Sequence, residues 1–148
     1  MTVTSHASLS QEKTKYEFTD TRISQADTLL KHRQYEEALA AYETAYNSYE
    51  QESFYEGMVY AKERMGSVYR DNGEDGLSQI SYLKASDLSR KKLGHNHILE
   101  TKVVLNNSKR HYLNGDFQSA SESVDIAWAK YRRSNQYDST LFKGLIDY

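Results

Sequence analysis

The stretch Gln34-Tyr35-Glu36-Glu37-Ala38-Leu39-Ala40-Ala41-Tyr42-Glu43-Thr44-Ala45 sets Ala38, Tyr42 and Ala45 at intervals of four and three. In a helix those intervals bring all three side chains onto one face, in the order small, large, small. Small residues let a neighbouring helix approach closely, and the large one fills the gap beside them. Forty residues on, Ser78, Tyr82 and Ala85 keep the same intervals; forty-two further, Ala120, Val124 and Ala127 keep them again. A pattern recurring at this period is the mark of stacked supersecondary units.

A turn and an earlier helical pattern precede each copy. Ala26 and Leu29 stand before His32-Arg33-Gln34; Met65, Gly66 and Tyr69 stand before Asp71-Asn72-Gly73; Ser108 and Tyr112 stand before Asn114-Gly115-Asp116. Asn-Gly is a strong turn signal, because both residues accept positive φ. Ser53 with Glu56 reads as a capping box opening the second unit. Asn96 reads as the cap of the third, after Gly94 has stopped the preceding helix. The patterns predict seven helices, near 14–32, 35–51, 54–71, 75–92, 97–113, 117–133 and 139–148, with no strands. Residues 1–13 are expected to form a disordered tail, and 14–148 one domain of three helix pairs (14–51, 54–92, 97–133) and a terminal helix. In the third unit the interval from tyrosine to glycine is one residue shorter than in the second, which leaves its register open.

Composition limits the work such a chain can do. Its 148 residues contain thirteen tyrosines, no proline and no cysteine. Without cysteine there is no disulfide scaffold, thiolate nucleophile or usual structural zinc site. No apolar run reaches the ~20 residues of a membrane span, and Met1–Thr14 has no apolar signal core, so a cytoplasmic protein is expected. The net charge of −2 makes no case for nucleic acid or an anionic membrane. Charge is unevenly spread: residues 1–75 carry 8 Lys/Arg against 14 Asp/Glu, and residues 76–148 carry 11 against 7. His95 and His97 are the one close histidine pair, with no third ligand nearby in sequence, so no metal is expected. No phosphate loop or Ser/His/Asp arrangement stands out, and neither catalysis nor a cofactor is expected.

These residues resemble the tetratricopeptide repeat. Met65, Gly66 and Tyr69 match its first helix; Ser78, Tyr82 and Ala85 match its second; Ala26, Leu29, Ala38, Tyr42 and Ala45 make another copy, and Ser108, Ala120, Val124 and Ala127 a weaker third. The period of 40–42, with Leu93-Gly94-His95-Asn96-His97 and Leu105-Asn106-Asn107, is similar to kinesin-light-chain-like repeats. The proline that commonly ends a repeat is missing throughout. HEAT and armadillo arrays have a comparable period but lack the paired small residues. The resemblance implies an all-α, right-handed α-solenoid whose first helices line a concave groove.

By position, the resemblance puts Asp20, Ile23, Asp27, Leu30 and Lys31 on that groove from the first repeat. The second supplies Tyr60, Glu63, Arg64, Ser67 and Arg70; the third supplies Asn106, Lys109, Arg110 and Leu113, with Asn107 depending on the register. Ile23 and Asp27 replace the Lys and Asn that a clamp for chaperone-tail carboxylates needs. The implied function is a non-catalytic adaptor that binds a protein or peptide segment, acidic or dipolar, with asparagines on its backbone and arginines on its carboxylates. Two alternatives stand beside it. One is a structural subunit that forms a homo-oligomer or extends a longer solenoid. The other is a dedicated chaperone of an exported client, on a faint likeness of Asn135–Phe142 to a connector in small three-repeat secretion chaperones. Tyr46, Tyr49, Tyr55 and Tyr60 form either a second interface or packing between long helices, and Trp128 is expected to pack on the terminal helix.

Overall fold

The computed structural model describes residues 12–147. Seven helices follow one another: α1 (Thr21–Lys31), α2 (Tyr35–Gln51), α3 (Tyr55–Asp71), α4 (Asp75–Leu93), α5 (Ile98–Leu113), α6 (Phe117–Arg133) and α7 (Ser139–Ile146). Each packs against its neighbour in sequence, and α3 also touches α1 and α5. Two corrections fall at the N-terminus. The first helix starts at Thr21 rather than near 14, capped by the Asp20 carboxylate, which accepts from the Arg22 N–H at 2.9 Å. Ahead of it Thr14–Lys15 (β1) pairs in parallel with Gln136–Tyr137 (β2), where no strand was expected. Most of the expected N-terminal tail, residues 1–11, lies outside the described residues.

Among the described residues five hold a positive φ: Arg33 (59°), Ser53 (53°), Gly73 (79°), Gly94 (92°) and Gly115 (77°). They recur every 20 or 21 residues, one for each of the first five connections. At four of them the turn is the same Schellman closure. The left-handed residue's N–H returns to the carbonyl three back (Leu30, Glu50, Arg70, Tyr112), and the next N–H to the carbonyl five back (Leu29, Tyr49, Tyr69, His111). Ser53 is therefore consumed by the turn and cannot cap; the N-cap of α3 is Phe54, with no side-chain bond. Likewise α5 is capped by His97, whose Nδ1 accepts from the Leu99 N–H at 3.2 Å, not by Asn96.

These turns give a common frame in which the helices before and after them can be compared. Counting seven back from the left-handed residue gives Ala26, Gly66 and Ser108, all buried. Counting five forward gives Ala38, Ser78 and Ala120, also buried. On this frame His111, not Tyr112, matches Tyr69, and Tyr112 is exposed, in edge contact with Phe117. Tyr42 and Tyr82 fill the core between the small residues, while Val124 is only half-buried. Helix α3 carries a glycine against each flanking helix: Gly57 on the Tyr49 ring of α2, and Gly66 on the Tyr82 ring of α4.

The N-terminal segment bridges α6 and the residues that follow it to α3. The Lys13 ammonium donates to the Tyr131 carbonyl in α6 and stands 3.9 Å from the centre of its ring. Thr14 N–H donates to Asn135 O at 2.8 Å and Tyr16 N–H to Tyr137 O at 2.6 Å. The Tyr16 hydroxyl reaches Glu56 at 3.0 Å, and Phe18 stacks on Tyr60 with ring centres 4.6 Å apart. At the other end α7 buries Leu141 and Leu145 together with Ile98 and Leu105, and Trp128 meets Phe142 edge-on at 6.0 Å. No helix among the described residues is long and apolar enough to cross a membrane.

Candidate functional site

A trough of about 550 Å³ lies between this strap, α3, α5 and α7. That volume falls within the ~300–1,000 Å³ of typical ligand clefts. Tyr60 and Arg64 enter it from α3; Lys102, Asn106 and Lys109 enter it from α5; Lys15–Thr19 form one wall and Asp138–Leu141 another. Tyr60 and Arg64 stand one turn apart, as do Lys102 and Asn106, so each helix presents a single face to the trough.

Beneath the trough lies a buried polar network. Glu63, 1% exposed, receives a two-pronged bond from Arg64 at 2.9 and 3.0 Å, a bond from Asn106 Nδ2 at 2.5 Å and one from the Ser67 hydroxyl at 3.3 Å. Ser67 meets the Tyr82 hydroxyl at 3.0 Å, and Arg70 donates to that hydroxyl at 3.1 Å and to the Asn106 carbonyl at 3.3 Å. Burial pushes the Glu63 carboxyl up, but Arg64, Lys102 and Arg70 outweigh it and hold the group below its ordinary range. Burial also raises the Tyr82 phenol, to about 12.

The cations over the trough are unequally matched. Arg64 belongs to Glu63, and Lys15 to Glu17 at 2.6 Å. Glu17 is thereby engaged, and Asp138 caps α7 through the Leu141 N–H at 2.9 Å. Among the described residues Lys102 and Lys109 have no carboxylate within ion-pair distance. The Lys102 ammonium sits 4.2 Å from the centre of the Tyr60 ring. The Lys109 ammonium is held below its usual range by burial and by the neighbouring charges of Arg70 and Arg64. Glu63 and Asp71 act on it in the opposite sense but are outweighed, so the surroundings of this ammonium favour an approaching anion.

Of the residues read from the sequence, the structure brings Tyr60, Arg64, Asn106 and Lys109 to the trough and places Glu63, Ser67 and Arg70 in the network below it. Asp27 accepts from the Tyr42 hydroxyl, next to α2. Lys31 borders a separate hollow with Arg70 and Leu113. Asn107 and Arg110 are directed elsewhere: Arg110 is 6% exposed, bonds Asn107 at 2.8 Å and pairs with Asp75 of α4 at 2.7 Å. Lys102, which sequence reasoning missed, occupies the place of Tyr60 once the count starts from Gly115 rather than Tyr112. The tyrosines near the first connector are packing elements: Tyr49 is fully buried, and Tyr46, Tyr55 and Tyr60 are half-buried against the same core. Among the described residues no three His, Asp or Glu side chains converge as a metal site requires. Compared with family models, curated proteins and solved structures, the chain finds no match.

Proposed function

We propose that this protein is a non-catalytic interaction module of the tetratricopeptide kind, whose concave trough receives a segment of a partner protein bearing carboxylates. The observation that carries the reading is the pair Lys102 and Lys109, which among the described residues stand in no ion pair, above a trough whose carboxylates Glu17 and Asp138 are already engaged. Asn106 stands between them on the same face of α5, though its amide already serves Glu63. The recurrence of the turns and of the small residues at matched positions supports the repeat assignment.

The test is affinity capture from native lysate with wild type and with Lys102→Gln/Lys109→Gln. Among the described residues neither lysine stands in an ion pair, so the variant is expected to keep the fold, which circular dichroism checks. Arg64 and Arg110 are unsuited to this test, since truncating either strands a partner charge. A protein held by wild type and lost from the variant supports the reading; a protein held equally by both refutes it.

A second reading, self-association, is favoured by a separate observation. α7 covers only part of the last helix pair, and beyond it Tyr112 and Phe117, 58% and 62% exposed, border a hollow of about 410 Å³ with Val124, Trp128 and Leu145. Light scattering across a concentration series decides it: a mass that rises with concentration and falls back with Phe117→Lys supports self-association.

A further inference from the structure

We propose that His97 is a pH-sensitive latch on the wall of the trough: its neutral ring fastens residues 13–19 to the start of α5, and its protonation releases them. The inference goes beyond the functional reading and holds whatever the trough receives. The ring stands where four parts of the chain meet. It caps α5, its Nδ1 accepting from the Leu99 N–H at 3.2 Å. The Tyr16 ring of the strap meets it edge-on, with centres 5.3 Å apart. From α3 the Glu56 carboxylate serves both rings, accepting from the Tyr16 hydroxyl at 3.0 Å and standing 3.8 Å from His97 Nε2. From β2, Gln136 accepts the Ile98 N–H at 3.0 Å through its amide oxygen, and its amide nitrogen lies 3.4 Å from Nε2.

An acceptor at Nδ1 places the proton of the neutral ring on Nε2, toward Glu56. A second proton can go only to Nδ1, the atom that caps the helix. Two N–H groups then confront one another, and a positive charge sits at the positive end of the α5 dipole. Glu56 acts in the opposite sense, and among the described residues it is the only charged group that acts on the ring; Tyr16 and Gln136 are neutral, and His95 is the one other titrating group of the α4–α5 connection. Burial outweighs Glu56 and holds the ring's pKa below its ordinary value. The fold therefore favours the neutral ring. Fastening is complete above the unfolded value of about 6.5 and weakens as pH falls through the native one. Because Tyr16–Thr19 line the trough, its wall loosens with the latch.

Amide hydrogen exchange of the full chain between about pH 7.5 and pH 5.5, read as protection relative to the intrinsic rate at each pH, tests the latch. The bonded amides of Thr14, Tyr16 and Leu99 are expected to lose protection severalfold on acidification of wild type. His97→Asn supplies a cap that does not titrate and is expected to keep protection level across the range. Should that variant fold poorly, His97→Ser makes the same comparison. His95→Asn is expected to respond as wild type does. Level protection in wild type overturns the proposal. So does an equal fall in the variants with non-titrating caps, which would assign the acid response to another group.

Discussion

The ring of Tyr82 on α4 lies so close to the backbone of Gly66 on α3 that a Cβ at Gly66 would sit 2.8 Å from both Cδ1 and Cε1. No ordinary contact is that short, so the phenol and the missing side chain are two halves of one fit. The Tyr82 hydroxyl continues into the polar network under the trough, through Ser67 and Arg70. Packing and site therefore share this side chain.

Gly66→Ala is expected to destabilise the protein by ~1–3 kcal/mol, the usual effect of overpacking, despite alanine's better helix propensity. Gly76, in the first turn of α4, has nothing within 4 Å of its absent Cβ, so Gly76→Ala is expected to be neutral or stabilising. Urea midpoints of the two variants check the contrast. Equal midpoints would show that Tyr82 can move away freely.

Glu63 is the buried charge on which the trough floor depends. Glu63→Ala strands Arg64 and deprives Asn106 of its acceptor, and ~3–5 kcal/mol of stability is expected to go with it. Glu63→Gln keeps an acceptor and is expected to be milder. Chemical denaturation ranks the pair; an alanine variant as stable as wild type would show that the network contributes nothing.

Acid should weaken this fold through carboxylates whose native pKa is depressed. The bond from Arg22 holds Asp20 down to about 2, that from Arg110 lowers Asp75, and the cations around Glu63 lower it against the effect of burial. A native pKa below the unfolded value of ~4 means stability that is complete above that value and lost as pH falls through the native one. The share of the urea midpoint that these carboxylates supply is expected to be level above about pH 5 and to decline toward pH 2. Asp20→Asn, which removes one of these depressed carboxyls, is expected to make the decline shallower. An unchanged slope would assign the acid sensitivity to the other carboxylates.

The strap gives a further expectation. Phe18 stacks on Tyr60 and on Phe54, and its segment is bonded to residues 135–137 by main chain alone. Phe18→Ala is expected to remove ~1–3 kcal/mol and to speed hydrogen exchange at Tyr16 together with that at Tyr137. Exchange that speeds at Tyr16 alone would show that the two strands open independently.

How far the fold could be read in advance depended on the range of the signals. Helices α2–α6 follow from the 3.6-residue period, and three of the five connections place glycine where φ is positive. Arg33 and Ser53 occupy the same conformation without glycine's freedom, so the turn at Ser53 was read as a cap instead. Lys15-Tyr16-Glu17-Phe18 does alternate polar and apolar residues as a strand does, but its partner lies about 120 residues away, beyond any local pattern. The site divided along the same line. Tyr60, Arg64, Asn106 and Lys109 follow from their positions on first helices. Lys102 was hidden, and Asn107 left dependent on the register, because the one-residue difference between Tyr112 and Gly115 left two counts open; Arg110 turns instead to Asp75.

The two ends of the array should also respond differently to the same change. Ala38 is fully buried against the first core cluster, whereas Ala120, although 4% exposed, borders the open hollow beside Phe117, Val124 and Trp128. Ala38→Leu must displace neighbours and is expected to destabilise by ~1–3 kcal/mol. Ala120→Leu can extend into about 410 Å³ of free space, and an effect within about 0.5 kcal/mol is expected. Thermal melts of the two variants at low protein concentration make the comparison. If Ala120→Leu loses as much as Ala38→Leu, the hollow is closed in solution, and a covering segment or a second copy must then be sought on that face.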